Sequence, residues 1–439
     1  MIKKLQIKNF KSIKSLNINL KNLNLLCGEN ASGKTSIIHA LLIALQSTNT
    51  NKNFDGDVIK IGGLSELRNM TVGNEIAIRV ETEDAKVKEI ILRPNEDITA
   101  PNKDILVKNP VNDVLGITFE KQFFYLSSNR SGLADIYSKG NSVFGSNGEA
   151  AISYLSEHQD DLMLDEYMEA FKKAFPKSSI NENRRYYEHV RFWVEQISSD
   201  VIKIEPVPYT NQYVLTFGVD RNVRPINTGS GYSYILPIII MCLGAMAISR
   251  TPLIIIENPE IYLHPIAQRE LAEFFIFISK FEQLIIETHS ENILEAIIKS
   301  SAQSKQILVA NYKDNYTLVE RLTPKNFKTK PISYSEVLYK AFHIPSIELH
   351  VLLYGLMQEK CNTAVRHPTN IKDFDDWLLM TYPFIQKKQR CYGNTVYQTL
   401  PTYIRNCIDH PEGRSPSNRK YKFTEMELRK SIDFLLANL

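Results

Sequence analysis

The stretch "NLNLLCGENASGKTSIIHALLIAL", residues 22–45, decides the fold of this 439-residue chain. It starts with an apolar run typical of a buried strand, passes through a glycine-containing turn, and continues with the unbroken apolar face of a helix. The turn, residues 28–35, fits the pattern G-x-x-x-x-G-K-[ST] in the strand-then-helix context that makes the pattern specific. The sequence therefore predicts a P-loop rather than an ordinary glycine-rich turn.

A P-loop binds nucleotide phosphates for direct physical reasons. Its backbone N–H groups converge at a helix N-terminus, where the helix dipole favours anions. The Lys34 ammonium neutralises the β- and γ-phosphates, and the Thr35 hydroxyl ligates Mg²⁺. We therefore expect ATP and Mg²⁺ as cofactors. The expected binding residues are Gly28, Glu29, Asn30, Ala31, Ser32, Gly33, Lys34, Thr35 and Ser36.

Two later strands end in polar residues that suit the same site. "PLIIIENPE", residues 252–260, is an apolar strand followed by acids, and its Glu257 is expected to ligate Mg²⁺ directly or through water. "QLIIETHS", residues 283–290, ends in a segment whose His289 is expected to reach the γ-phosphate or the attacking water. Taken singly, a strand capped by solvated acids and a structural histidine explain the same residues.

Bulk composition indicates a globular protein. Hydrophobic residues make up 43% of the chain, and 52 basic residues balance 49 acidic ones for a net charge of +3, which neither demands nor excludes nucleic acid. The five cysteines show no C-x-x-C pair, against a zinc site or a disulfide framework. The first ten residues lack an apolar run, and the apolar stretch 234–248 contains Pro237 and is short for a membrane span. We expect a buried core helix there, a cytoplasmic location and no membrane partner.

Together, these segments resemble the ABC-type ATPases of the SMC/RecF group, and more closely the compact AAA branch found among OLD-type and other phage-defence ATPases. The resemblance covers residues 1 to about 320. The segments that carry it are residues 7–36, "FFYLSSNRSG" (123–132), "NTGSGYSYILPI" (227–238), "ENPEIYLHP" (257–265) and "ETHSENIL" (287–294). The resemblance implies a head-to-tail homodimer with ATP between the P-loop of one copy and the signature turn of the other. Gly229, Ser230 and Gly231 would then face the partner's γ-phosphate; the alternative is a plain Gly/Ser turn before a core helix.

Two residues depart from the family pattern. Glu257 stands where the usual Walker B aspartate is, and Asn258 stands where the usual catalytic glutamate is. Asparagine cannot take a proton from water. Either Glu260 or His289 assists, or hydrolysis is slow, and a slow site suits a switch that holds ATP until triggered.

The sequence predicts an α/β fold, an ABC-type P-loop ATPase head followed by an all-α C-terminal domain. The expected divisions are an N-lobe (1–147), a helical insertion (148–198), a C-lobe (199–322), a linker (323–331) and the helical domain (332–439). Within the insertion, "NENRRYYEHVRFW" (181–193) mixes arginines and aromatics. This composition suits helix packing against the head, which we favour, or single-stranded nucleic acid.

"YIRNCIDH", residues 403–410, has two interpretations. A helix ending before Pro411 explains it with a surface pair between Arg405 and Asp409 and a histidine at the negative helix end. Alternatively, Arg405, Asn406 and His410 resemble the R-[polar]-x-x-x-H motif of HEPN ribonucleases, which supplies a phosphate fork, an orienting amide and an acid or base without a metal.

Joining an ABC-type ATPase to such a domain resembles the PrrC/RloC architecture. It implies an anti-phage toxin in which the ATPase dimer controls cleavage of RNA, expected to be tRNA. The alternative is an ATPase sensor or scaffold that acts with a separate effector nuclease, as PtuA-type ATPases do, with the C-terminal helices serving assembly only. A DNA-repair ATPase of the RecF kind is a third interpretation, disfavoured by the missing long arm and the added helical domain.

Overall fold

The computed structural model describes residues 1–47, 55–62, 64–69, 73–94, 104–108, 119, 121–138, 144–218, 222–248, 252–302, 304–392, 395–410 and 422–439. The chain divides into two compact units, Met1–Arg321 and Leu322–Leu439, here called the N-terminal unit and the C-terminal unit. Pro411, which the sequence places just beyond a helix end, lies outside the described residues.

The N-terminal unit is built on three sheets and the helices packed against them. Its strands are β1 (Ile2–Phe10), β2 (Ile13–Asn19), β3 (Leu23–Cys27), β4 (Ile76–Thr82), β5 (Val87–Pro94), β6 (Asp104–Lys108), β7 (Phe123–Leu126), β8 (Ile136–Ser138), β9 (Ile202–Pro206), β10 (Gln212–Phe217), β11 (Leu253–Glu257), β12 (Gln283–Glu287), β13 (Lys305–Lys313) and β14 (Tyr316–Leu322). Its helices are α1 (Lys34–Gln46), α2 (Leu64–Leu67), α3 (Ala151–Glu157), α4 (Asp165–Ala174), α5 (Tyr186–Ser198), α6 (Gly231–Ile248), α7 (Pro265–Ile278) and α8 (Glu291–Lys299). The predicted α/β fold is confirmed.

A six-stranded sheet in the order β14-β13-β3-β12-β11-β7 positions the site. The pairs β13–β3, β3–β12, β12–β11 and β11–β7 are parallel, so the carboxyl ends of these strands meet at one edge. Every residue of β3, β11 and β12 is buried, which explains why these strands read as nearly continuous apolar runs. The two other sheets are antiparallel, with orders β2-β1-β4-β5-β6 and β8-β10-β9.

Helix α6 is the apolar segment that the sequence predicted to be a core helix. Among the described residues it is the one helix long and apolar enough to cross a membrane, and 67% of that stretch is buried inside the protein. Every residue from Ile235 to Met246 is buried. A helix that is apolar on all sides and mostly covered is a core helix of the unit.

The insertion packs through aromatic side chains. Trp193 on α5 is 3% exposed and stacks edge-on against Phe274 of α7 at 4.9 Å between ring centroids. Its indole N–H donates to the Tyr167 hydroxyl at 3.1 Å. The arginines of the 181–193 segment form ion pairs, Arg184–Asp165, Arg185–Asp160 and Arg191–Glu188. These contacts favour the packing interpretation of this segment over nucleic-acid binding.

The C-terminal unit is α-rich, as expected, but it is not wholly helical. Its helices are α9 (Tyr334–Phe342), α10 (Ile347–Val365), α11 (Ile371–Thr381), α12 (Leu400–Asp409) and α13 (Glu425–Asn438). A hairpin of β15 (Lys387–Tyr392) and β16 (Thr395–Thr399) stands between α11 and α12, which corrects the all-α prediction. The hairpin strands carry too few apolar residues to be predicted from the sequence pattern.

The segment 323–331, expected to be a linker, is ordered against α9. The buried Glu336 carboxylate accepts hydrogen bonds from the Lys328 and Thr329 backbone N–H groups, both at 2.7 Å, and from the Thr329 hydroxyl at 2.8 Å. Phe327 is buried as well. The segment is therefore a structured lead-in to the C-terminal unit, held by a side chain that pattern analysis did not single out.

Candidate nucleotide site

The loop after β3 has the backbone of a P-loop. Gly28 and Gly33 have φ angles of 136° and 100°, and Ala31 has 59°. A Cβ atom at Gly28 would collide with the Ala310 carbonyl oxygen, and one at Gly33 would collide with the Thr317 hydroxyl. Two close approaches thus require glycine at these positions, beyond the conformational preference itself.

Lys34 lies folded into this loop. Its Nζ donates to the carbonyl oxygens of Gly28 at 3.2 Å and Glu29 at 2.8 Å, and to the Ser32 hydroxyl at 3.5 Å. The side chain is 3% exposed, and burial lowers the pKa of its ammonium group. Because Glu29, Asn30 and Ala31 are exposed while Lys34 is covered, the loop forms a cradle with a cation at its base.

Thr35, the first helical turn's hydroxyl residue, meets a carboxylate that sequence reasoning missed. Its Oγ1 donates to both carboxylate oxygens of Glu287, at 2.9 and 3.0 Å. Glu287 ends β12, the strand that pairs directly with β3. Burial, followed by the nearby charge of Glu257, raises the pKa of Glu287 to about 7. The acid stands two residues before His289 in "ETHS", at the end of a strand, which is the sequence signal for it.

Glu257 ends β11, one strand farther from the loop. Its Oε2 accepts from the Ser128 backbone N–H at 3.3 Å, and the Tyr125 hydroxyl also hydrogen-bonds its carboxylate. Burial raises the pKa of this carboxyl. Its other oxygen, Oε1, is buried without a hydrogen-bond partner among the described residues and can accept a further bond.

Asn258 begins the turn after β11, and Arg130 holds that turn. Asn258 has a φ of 44°, a left-handed conformation that asparagine tolerates better than glutamate. The Arg130 guanidinium donates to the Glu257 carbonyl at 2.5 Å and to the Asn258 carbonyl at 3.2 Å, and it lies over the Tyr234 ring of α6 at 5.3 Å. Arg130 is 5% exposed. It therefore connects the 123–132 segment, the turn after β11 and α6.

The Glu260 side chain is hydrogen-bonded to the segment that carries His289. Glu260 accepts from the Thr288 hydroxyl at 2.8 Å and from the His289 backbone N–H at 2.6 Å, one bond to each carboxylate oxygen. Burial raises the pKa of Glu260; burial and then the charge of Lys34 lower the pKa of His289. The His289 ring is thus held neutral near Lys34, while Glu260 fixes the loop that carries it.

The signature turn, residues 229–231, lies at the start of α6. Gly229 and Ser230 are exposed, and a Cβ at Gly229 would meet nothing within 4 Å. The hydrogen bonds found among the described residues do not join this turn to the loop 28–36, to Glu257 or to His289. The turn borders a groove of about 350 Å³ that also touches Tyr262 and Leu263.

Lys11 is a second residue that the sequence analysis did not name. It occupies the turn between β1 and β2 with a φ of 49°, and its Nζ lies 3.0 Å from Nδ1 of His39 on α1. Burial lowers the pKa of Lys11, against the opposing charge of Glu257. A second cation therefore faces the same edge of the sheet as Lys34.

These groups fit a nucleotide with magnesium. They supply backbone donors at a helix N-terminus, two cations, a hydroxyl and two carboxylates, one of which has an oxygen without a hydrogen-bond partner among the described residues. Among the described residues, no group of three or more His, Cys, Asp or Glu side chains could hold a metal ion by itself. A Mg²⁺ ion here would therefore complete its coordination with phosphate oxygens and water.

The C-terminal candidate residues lie at the end of α12. Arg405 pairs with Asp409 at 2.6 Å and donates to the Asn406 side-chain oxygen at 3.3 Å. Asn406 is buried, whereas Asp409 and His410 are exposed. The His410 backbone N–H donates to the Asn406 carbonyl at 3.2 Å. The observed pairing is the one that the surface interpretation of this helix end requires.

Comparisons with known proteins identify an ATPase domain in the N-terminal part of the chain. A family described as AAA ATPase domain matches residues 1–191 and 119–294. The DNA replication and repair protein RecF of Bacillus cytotoxicus is 31% identical over 97 residues, which is 20% of this chain and 26% of RecF. The chain thus matches about a quarter of the length of that relative.

Three solved SMC heads are similar to this chain at low sequence identity. An SMC head bound to the C-terminal winged-helix domain of ScpA is 13% identical, with a TM-score of 0.48 over 74% of this chain and 98% of the head. The SMC head of Thermotoga maritima is 12% identical, with a TM-score of 0.41 over 73% and 99%. An SMC head with an extended coiled coil, bound to the C-terminal domain of ScpA from Pyrococcus furiosus, is 14% identical, with a TM-score of 0.43 over 74% and 96%.

Proposed function

This chain belongs to the AAA ATPase domain family, and we propose that it is an ATP-dependent switch of the SMC/RecF type that acts in the cytoplasm. The observation that carries this proposal is a P-loop backbone at residues 28–33 with Lys34 folded into it and Thr35 of α1 bonded to Glu287 at the end of β12. Backbone N–H groups of that loop and Lys34 would hold the phosphates, and Thr35 with a carboxylate would hold Mg²⁺. When bound, Mg²⁺ neutralises charge on the phosphate oxygens.

The first test is ATP binding by the full chain. Lys34→Ala removes the cation at the base of the cradle and is expected to weaken ATP binding at least about 100-fold, measured by calorimetry. Lys305→Ala is the matched control, because the Lys305 ammonium is also partly buried on backbone carbonyls, at 2.6 and 3.0 Å, but on Ile297 and Ile298 of α8. Equal ATP affinity in wild type and Lys34→Ala would contradict the proposed site.

Slow hydrolysis is part of the proposal. Asn258 cannot act as a base, and both Glu260 oxygens are engaged by the loop that carries His289. His289 is then the group that orients the attacking water. We expect turnover of wild type well below typical enzyme rates and a faster Asn258→Glu variant, measured by phosphate release. Fast turnover of wild type without any trigger would contradict the switch.

ATP is proposed to join two copies of the chain. The exposed signature turn at the start of α6 offers backbone N–H groups to a γ-phosphate held by another copy. Ser230→Arg should abolish ATP-dependent dimerisation, measured by light scattering, while ATP binding to the monomer is retained. A Ser230→Arg variant that still dimerises with ATP would place the interface elsewhere.

We further propose that the switch controls a metal-independent, HEPN-type ribonuclease in anti-phage defence, with tRNA as the expected substrate. Support comes from the motif, from its place in an α-rich unit behind an ATPase, and from the exposure of His410 at the helix end. The Arg405–Asp409 pair must then open for Arg405 to meet phosphate. His410→Ala should abolish RNA cleavage and any growth defect in cells, whereas Asp409→Ala should retain both.

The alternative is a sensor or scaffold that engages a separate effector nuclease or a phage component. The Arg405–Asp409 pair favours it, because a paired arginine at a surface helix end needs no catalytic explanation. If RNA cleavage in cells survives His410→Ala but depends on Lys34 and on a co-purifying nuclease, the scaffold function replaces the ribonuclease.

A further inference from the structure

The strand order assigns the magnesium carboxylate differently from the motif. The motif places the acidic ligand on β11, at Glu257. In the sheet, β12 lies between β11 and β3, and the register pairs Glu287 with Leu26 of β3 on one side and with Glu257 on the other. Adjacent strands are about 4.8 Å apart. Glu287 is therefore one strand spacing closer to the P-loop than Glu257.

The hydrogen bonds of the two glutamates agree with their different distances from the P-loop. Both carboxylate oxygens of Glu287 lie 2.9–3.0 Å from the Thr35 hydroxyl oxygen, the oxygen that a P-loop gives to Mg²⁺. Neighbouring ligands of an octahedral Mg²⁺ with bonds of about 2.05 Å are separated by about 2.9 Å. The Thr35 and Glu287 oxygens thus already have the separation that two adjacent magnesium ligands need.

Glu257 is engaged elsewhere. Its Oε2 accepts from the Ser128 N–H and its carboxylate is bonded by the Tyr125 hydroxyl, both from the segment that follows or forms β7. Its backbone carbonyl is held by Arg130. These contacts tie Glu257 to the 123–132 segment. Its Oε1 is buried without a hydrogen-bond partner among the described residues, so it can accept from a water molecule at the site.

We propose that Glu287, together with Thr35, directly ligates the Mg²⁺ of bound ATP, and that Glu257 is a positioning residue that holds the 123–132 segment and a water at the site. This inference rests on the proposed ATP site and specifies its metal ligand. It moves the acidic ligand from the expected strand β11 to β12, where the residue before "THS" faces the loop 28–35.

The test measures how much Mg²⁺ strengthens ATP binding in the full chain. ATP affinity is determined with Mg²⁺ and with EDTA for wild type, Glu287→Gln and Glu257→Gln, and bound Mn²⁺ is counted by EPR with a non-hydrolysable ATP analogue. Glu287→Gln should lose most of the Mg²⁺ enhancement and bind Mn²⁺ at least about tenfold more weakly. Its affinity in EDTA should equal or exceed that of wild type, because a negative charge near the phosphates is gone. Glu257→Gln should retain Mn²⁺ binding within about threefold.

The opposite pattern, with Mn²⁺ lost in Glu257→Gln and kept in Glu287→Gln, overturns the assignment and leaves the ATP site intact. Glu287→Asp separates ligation from folding, since it keeps the carboxylate on a shorter stem and should recover part of the Mn²⁺ binding that Glu287→Gln loses. Failure of wild type to bind ATP with or without Mg²⁺ overturns the proposed function, and the metal assignment with it.

Discussion

The nucleotide site and the end of α12 assemble polar groups in opposite ways. In the first, Thr35 meets Glu287 across 252 positions of the chain, and Arg130 meets Glu257 across 127. In the second, Arg405 and Asp409 meet because they are four residues apart on one helix. Only the tertiary fold can bring the first set together and keep it buried, whereas helix geometry alone produces the second. Buried contacts between residues far apart in the chain are therefore a stronger indication of a functional site than a contact within one helix.

The sharpest test of this difference makes the same type of substitution, glycine to alanine, once in each unit. Gly28→Ala places a methyl group against the Ala310 carbonyl at a φ of 136°, so the loop must shift. Strain of about 1–3 kcal/mol implies ATP binding weaker by up to roughly 100-fold. Gly355→Ala is the control, on α10, where a Cβ meets nothing within 4 Å. It should stabilise the protein by about 0.5–1 kcal/mol and leave ATP affinity unchanged.

Calorimetric titration with ATP and thermal unfolding measure the two outcomes. If Gly28→Ala binds ATP as tightly as wild type, the loop 28–33 is not the phosphate cradle. If Gly355→Ala is destabilised, the exposed face of α10 is covered in the protein as it exists in solution.

A second pair compares two arginines. Arg130→Ala removes the guanidinium that donates to the carbonyls of Glu257 and Asn258, which should cost about 2–4 kcal/mol and lower the ATPase rate more than ATP affinity. Arg405→Ala removes a half-buried i,i+4 pair and should cost no more than about 0.5 kcal/mol. Scanning calorimetry and steady-state kinetics measure both. Partial recovery of the ATPase rate in Arg130→Lys would show that the donor, not the packing, matters.

Much of the fold could be predicted from residues 1–322 because its signals are local. Buried parallel strands read as apolar runs, and the loop 28–35 needs glycine for reasons visible in one segment. The hairpin of β15 and β16 could not be predicted in this way. Its strands are rich in lysine, glutamine and threonine, and Asp375 of α11 fixes its second strand by accepting from the Gln398 and Thr399 N–H groups at 2.7 and 3.1 Å.

The site shows the same limit. Lys34 and Thr35 follow from their motif, but the partner of Thr35 follows from strand order, which a single sequence does not display. Glu287 and Lys11 reach the site only because β12 lies beside β3 and the turn after β1 lies beside α1. Local sequence patterns identify candidate functional residues, and the strand order of the sheet determines which of these residues are in contact.

The last pair, with the smallest expected effect, is two buried glutamates, one in each unit. Glu282, before β12, is fully buried, and both of its oxygens lack hydrogen-bond partners among the described residues. Glu336 is equally buried, but its carboxylate accepts three hydrogen bonds from Lys328 and Thr329. At pH 8, Glu282→Gln should therefore stabilise the protein, and Glu336→Gln should destabilise it by about 1–2 kcal/mol.

The pH dependence of folding stability tests the direction of the effect expected for Glu282. Burial raises its pKa well above the ordinary value of 4.5, so above that pH the folded protein holds a proton that the unfolded chain has released. Folding stability therefore falls as pH rises through this window, at up to about 1.4 kcal/mol per pH unit. Glutamine does not titrate, so the melting-temperature difference between Glu282→Gln and wild type should be near zero at pH 5 and grow towards pH 8. A difference that is constant with pH would mean that Glu282 is ionised in the folded state and has a partner in solution.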